Sequence, residues 1–213
     1  MWETLSTPWQ AALEMAWEAY CSGTIPIGAV VADMDGNVVS RGRNRVNDST
    51  APNRQICNNE LAHAEMNALL SLTLSYEECE HVALYTTMEP CPLCMGALYM
   101  SDIKTLHFAA HDPWAGSTNL LGTTPYLSRK PIKIFEPFDL ALEEILTAML
   151  VEHTVHFYGE QSLSNRFFEQ LRETIPNSVE MGIALYRSNE LRKKQKGKLP
   201  ASEIINWLAH QVQ

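Results

Sequence analysis

Four side chains in the 213-residue sequence have the types and spacing for metal-assisted proton chemistry. They are His63 and Glu65 in His-Ala-Glu, and Cys91 and Cys94 in Pro-Cys-Pro-Leu-Cys. Cysteines at i and i+3 of a helix share one face, so Cys91 and Cys94 can bind one ion. Pro90 ahead of them suits a helix start, where unpaired N–H groups and the dipole stabilise thiolates. A Cys-x-x-Cys pair alone serves zinc or thiol redox chemistry equally well. His63, also near a helix start, supplies a third candidate ligand. Three protein ligands leave zinc's fourth tetrahedral position open to water, the pattern of a catalytic site. Two thiolates balance the dication, a neutral imidazole adds no charge, and water bound there loses its proton far more readily than bulk water. Glu65 is placed to carry that proton to a substrate nitrogen, a contribution of about 10² to 10⁴ in rate. The alternative is a closed structural zinc site completed by Cys57, Cys79 or His81, which leaves Glu65 without a task.

The elements that must position these residues can be read from apolar periodicity and turn signals. Ser6 or Thr7, Pro8 and the apolar spacing through Trp17 predict a helix that Gly23 stops. The stretch from Ile27 to Asn44 predicts two short strands around an Asp35-Gly36 turn. A polar loop then leads to a helix through His63 and Glu65. His81–Thr87 predicts a strand, Cys91–Met100 a helix and Ile103–Ala110 the next strand. This α-β-β-α-β-α-β order favours helices on both faces of a largely parallel sheet. Ile132–Glu136 is a further short strand, and Asp139–Phe157 is strongly helical. Further helical pieces run to the end. A soft boundary near Gly159 divides residues 1–158, carrying the chemistry, from a helical extension, 159–213, laid against them.

Composition excludes several classes of function. Hydrophobic and charged contents of 46% and 19% are those of an ordinary globular protein. The longest apolar runs are strand length, far below a membrane span. The N-terminal stretch has acid where a signal peptide has Lys or Arg, so a cytoplasmic location is expected. Five cysteines in a chain of this size suit metal chemistry better than a disulfide framework. A net charge of −9 disfavours broad attraction to nucleic acid or anionic membrane. Arg187–Lys198 runs the other way, with six basic residues against one acidic. It reads as a solvated hinge before the last helix, or as an RNA-binding tail.

His63-x-Glu65 followed by Pro90-Cys91-x-x-Cys94 resembles the signature of zinc-dependent nucleobase deaminases. The resemblance to the cytidine and deoxycytidylate deaminase superfamily covers roughly residues 8–157. It implies a cytidine deaminase-like fold, a three-layer α/β/α sandwich with a mixed five-stranded central sheet, and a homodimer. It also implies that His63, Cys91 and Cys94 hold Zn²⁺, and that Glu65 shuttles the proton as water replaces an exocyclic amine and ammonia leaves. The backbone around Ala64 and Cys91 then faces the ring.

The stretch Glu89-Pro90-Cys91 through Gly96-Ala97 is similar to the branch that holds tRNA adenosine deaminases and guanine deaminases. Asn44, after the second strand, resembles that branch's contact to base or ribose, and an amide reads donor–acceptor edges well. Its other reading is a strand-end turn residue. The segment 109–117 replaces the basic residues of the tRNA enzymes with Trp114, which can stack on a purine or sit in the core. His111 and Asp112 read as a loop turn before Pro113. Phe167 and Phe168 in the extension read as simple core residues. A purine-type base, nucleoside or related heterocycle is therefore favoured as substrate. A tRNA adenosine deaminase and a non-catalytic zinc-stabilised binding protein are the competing readings.

Overall fold

A computed structural model of the chain describes residues 1–212. Helix α1 (Thr7–Cys21) begins with Pro8 in its first turn and gives way to Gly23, whose φ of +78° ends the helical path. Strands β1 (Gly28–Asp33) and β2 (Val38–Arg43) form the expected antiparallel hairpin, with Gly36 at φ +85° in its turn. Helices α2 (Ala64–Leu70) and α3 (Tyr76–Cys79) precede β3 (Val82–Thr86), and α4 (Pro92–Met100) connects β3 to β4 (Thr105–Phe108). The sheet is completed by β5 (Lys133–Phe135) in the order β2-β1-β3-β4-β5. Helix α3 is a single capped turn with no counterpart in the apolar periodicity.

The sheet is mixed, with helices on both sides. It is less parallel than the element order suggested, because β1 runs antiparallel to both neighbours. Only the pairs β3–β4 and β4–β5 are parallel. Between β4 and β5 the crossover helix is replaced by a long loop containing one 3₁₀ turn.

The strands distribute their side chains by the period of two. Val30 joins α1 in one core, whereas Ala29 and Val31 join residues of α2 and α4 on the other face. Helix α2 can lie on β2 because Gly42 has no side chain. A Cβ there would stand 2.2 Å from the Ala68 nitrogen and 2.3 Å from the Ala64 oxygen. Asn67 then locks the contact, donating from Nδ2 to the Arg43 carbonyl at 3.1 Å and accepting from the Ile56 N–H at 2.8 Å.

Helix α5 (Leu140–Tyr158) follows the sheet, and α6 (Arg166–Thr174), α7 (Pro176–Ser188), α8 (Glu190–Lys196) and α9 (Ala201–Ala209) complete the chain. Leu142, Ile145 and Met149 of α5 share the α1 core with Ile204, Ile205 and Leu208 of α9. Val151 and Val155 of α5 form a smaller core with Phe168 and Leu171 of α6 and Val179 and Ile183 of α7. The basic stretch 187–198 is largely helix rather than a hinge. Its Arg192 is buried and bonded to the buried Glu152 of α5 at 3.0 and 3.2 Å.

Candidate active site and metal centre

Two helix starts meet at the C-terminal end of β3. His63 is the N-cap of α2 and Cys91 the N-cap of α4, both with extended backbone, φ −72° and −70°. Those backbone angles turn the two side chains across the ends of their helices, and Cys94 rises one turn into α4 on the same side. His63 Nδ1 lies 3.4 Å from Cys91 Sγ and 3.5 Å from Cys94 Sγ, and the two sulfurs are 3.7 Å apart. Zinc bonds of about 2.3 Å to sulfur and 2.0–2.1 Å to nitrogen, at tetrahedral angles, require edges of about 3.8 and 3.5 Å. The three donors therefore already form one face of a zinc tetrahedron. Cys57, Cys79 and His81 stand outside this group, which is the one cluster of three or more candidate metal ligands among the described residues.

The electrostatics of the bare donors also ask for a cation. The Cys94 thiol, bonding to the sulfur beside it, holds Cys91 down to about 4. The same contact, with burial and Glu65 behind it, drives Cys94 far up, so the two sulfurs cannot both ionise unaided. Contact with Cys91 raises His63, and burial raises Glu65 above the usual carboxylate range. A divalent ion relieves this conflict by neutralising both sulfurs.

The donors open on a cavity of about 170 Å³. Ile25, Ile27, Met88, Leu150 and Phe167 give it apolar walls, and Asn44, Ala64 and Glu65 line it from the metal side. Asn44 is buried, and its Oδ1 accepts from the Thr24 hydroxyl at 2.6 Å and from the Val46 N–H at 3.1 Å. A backbone N–H can only donate, so the amide is oriented with Nδ2 as a free donor at the cavity wall. Ala64 is the first residue of α2, where backbone N–H groups lack helical partners.

The segment 111–118 closes one side. Glu89 anchors it by accepting from Thr118 N and Oγ1 at 3.2 and 2.6 Å, and Gly116 leaves room for that carboxylate, which a Cβ would meet at 2.2 Å. Asp112 lines the cavity, accepts from the N–H groups of Trp114 and Ala115 at 3.0 Å, and is raised by burial. His111 turns away to bond Glu143 at 2.7 Å. Trp114 is 52% exposed and so is no core residue; it faces the cleft outside the inner cavity. Phe168 is core, but Phe167 reaches the cavity together with Leu150. Nothing near the metal motif in sequence signals these two, since they arrive from α6 and α5.

A family model described as the cytidine and deoxycytidylate deaminase zinc-binding region matches residues 3–110. The chain belongs to this family. The tRNA-specific adenosine deaminase of Bacillus subtilis (strain 168) is 33% identical over 112 residues, 52% of this chain and 64% of that relative. The guanine deaminase of the same organism is 28% identical over 143 residues, 66% of this chain and 83% of its own. A structure from studies of A-to-I editing by tRNA:A34 deaminases superposes with a TM-score of 0.51 at 26% identity, over 65% of this chain and 97% of the other. The chain thus spans less than two thirds of the length of the tRNA-specific relative. The matched region is followed by β5 and α5–α9, and the zinc-binding character of the family agrees with the His/Cys/Cys group.

Proposed function

We propose that the protein is a zinc-dependent hydrolytic deaminase that converts an amino-substituted nucleobase, nucleoside or related heterocycle to its oxo form with release of ammonia. The observation that carries this reading is the convergence of His63, Cys91 and Cys94 beside a buried carboxylate, Glu65, on a cavity of ring size. A cavity of about 150 Å³ holds a benzene ring. The 170 Å³ here suits the amine-bearing ring, with the rest of a larger substrate directed past Phe167. Relatives named for guanine and adenosine favour a purine-type ring. We assign residues 1–158 to the catalytic unit and 159–213 to an extension that supplies Phe167, in a cytoplasmic homodimer.

His63, Cys91 and Cys94 are the residues that would hold zinc, and the ion when bound lowers the pKa of a water molecule. The chain's own residues do the rest. Glu65 relays two protons in its dry pocket, the first from the attacking water to the ring nitrogen and the second from the new hydroxyl to the departing amine. Asn44 Nδ2 donates to an acceptor on the heterocycle, and the first N–H groups of α2 at Ala64 face the same ring. Ile25, Ile27 and Leu150 exclude bulk water, which strengthens each of these contacts. Trp114 stands further out, where it meets whatever extends from the ring.

A tRNA adenosine deaminase is the second reading, favoured by the 33% identical relative. Against it stands the cleft outside the cavity, which among the described residues has Glu60 and no Lys or Arg in its lining; phosphate contacts dominate such binding. The deciding experiment measures ammonia release by the zinc-loaded protein. Its panel holds adenine, guanine and cytosine, their nucleosides and an adenosine-bearing tRNA anticodon stem. Release from one small compound is expected. Glu65→Gln should lower it by about 10² to 10⁴ while zinc content stays at the wild-type level. Release unaffected by Glu65→Gln would overturn the assignment, and release from the RNA alone would establish the second reading.

A further inference from the structure

The inner cavity shares part of its wall with a neighbouring space. Ile25, Leu150 and Phe167 also belong to the wall of a second, larger cleft of about 690 Å³, built mainly from α5, the 3₁₀ turn after it and the start of α6. The two volumes are neighbours that share these three walls, with the metal donors in the inner one.

The outer lining differs chemically from the inner one. Asn47, Gln161 and Asn165 contribute amides, Thr154 a hydroxyl, and Trp114, Phe157 and Tyr158 aromatic surface. All three aromatics are more than half exposed, at 52%, 54% and 62%. Among the described residues no lysine or arginine lines the cleft, and the one carboxylate there is Glu60. Two nearby arginines are committed elsewhere, and Arg166, exposed between Asn165 and Phe167, is outside the lining. Arg45 bonds Asp48 and Gln55, and Arg172 bonds the Leu163 carbonyl. His153 in the wall is kept neutral at pH 7 by burial. Helix α6 is held over this cleft by Gln170, which donates to the Pro113 carbonyl, and by Phe167 set edge-on to Trp114 at 6.1 Å.

Amides and a hydroxyl among aromatic faces match hydroxyl groups on a partly apolar ring. A phosphate finds no counter-charge there and meets Glu60. We propose that the outer cleft is a second subsite that binds the sugar of a nucleoside-type substrate and excludes phosphate. The enzyme then prefers a nucleoside to the free base, the nucleotide or a nucleic acid. This inference rests on the deaminase reading of the inner cavity.

The test compares cytidine, adenosine and guanosine with their free bases and their 5′-monophosphates, using the full zinc-loaded chain. One nucleoside should exceed both its base and its monophosphate in kcat/KM by about tenfold or more. Tyr158→Ala should lower the nucleoside-to-base ratio, and Asn47→Arg, on an exposed loop, should raise the monophosphate relative to the nucleoside. A base turned over as well as its nucleoside, a monophosphate preferred by the wild type, or ratios indifferent to both variants would overturn the subsite and leave the deaminase reading standing. Silence across the panel would remove the deaminase reading instead. Calorimetric titration of the same nucleosides and bases then decides the subsite separately: tighter nucleoside binding supports it, and equal or weaker binding overturns it.

Discussion

Under the proposed function the Asn44 side chain has two jobs that substitutions can separate. Its Oδ1 satisfies the Thr24 hydroxyl and the Val46 N–H, while Nδ2 is left for a ligand. Asn44→Ala orphans both donors in a buried place, at a cost of about 1–3 kcal/mol, and removes the ligand contact too. Asn44→Asp keeps an acceptor for both protein donors but offers the ligand no N–H and a like charge beside its acceptor. The expected pattern is therefore asymmetric. Asn44→Ala lowers both the urea midpoint and kcat/KM, whereas Asn44→Asp leaves the midpoint close to wild type and lowers kcat/KM by at least about tenfold. Equal loss of stability in the two variants would show that the amide is a strand-end brace and nothing more.

At the scale of elements, α8 is tied to the body by a buried charge pair. Glu152 is fully buried, Arg192 bonds it through two nitrogens, and the same guanidinium lies 4.4 Å from the Tyr20 ring centroid of α1. Arg192→Met leaves Glu152 charged and alone, which should cost about 3–5 kcal/mol. Replacing both partners, Glu152→Leu with Arg192→Met, should recover most of that loss, because desolvation offsets much of a buried pair's attraction. Urea unfolding of the zinc-loaded chain measures both, and a single variant as stable as wild type would show that the pair contributes little. None of this was legible in the stretch 187–198. Charge density suggested a solvated segment, and only a carboxylate 40 residues away makes Arg192 internal. The hairpin, α1 and the starts of α2 and α4 were legible for the opposite reason, since caps, the Asp-Gly turn and period-two alternation are local. The grouping of His63, Cys91 and Cys94, with Glu65 beside them, was legible because each side chain's placement is set by its position in one helix turn. Leu150 and Phe167 were not, because a cavity wall needs only an apolar side chain, and the sequence holds many. Trp114 was readable as an aromatic without its depth, which depends on where α6 lies.

Across the whole molecule, two histidines are folded into places that refuse a proton. Burial, with Arg192 nearby, brings His153 down to about 4, and burial with Lys133 does the same to His107. His107 lies between the Tyr85 and Phe135 rings, 4.3 Å from each, while His153 stands between Tyr20 and Phe157. In the unfolded chain both titrate near the ordinary value of about 6.5. Above that value neither state binds a proton and stability is indifferent to pH on their account. Between about 6.5 and 4 the unfolded chain takes up protons that the fold excludes, so stability falls as pH falls. Below about 4 the fold is protonated as well and the loss levels off. For His153, at 5% exposure, the full loss is on the order of 3 kcal/mol. Urea unfolding between pH 7.5 and 4.5 should therefore show a slope shallower by about one proton in His153→Phe than in wild type. His153 also lines the outer cleft, so acid that charges it works against the fold and changes the wall of that chamber together. An unchanged slope in the variant would mean that the imidazole takes its proton in place, with α5 yielding to let it reach solvent.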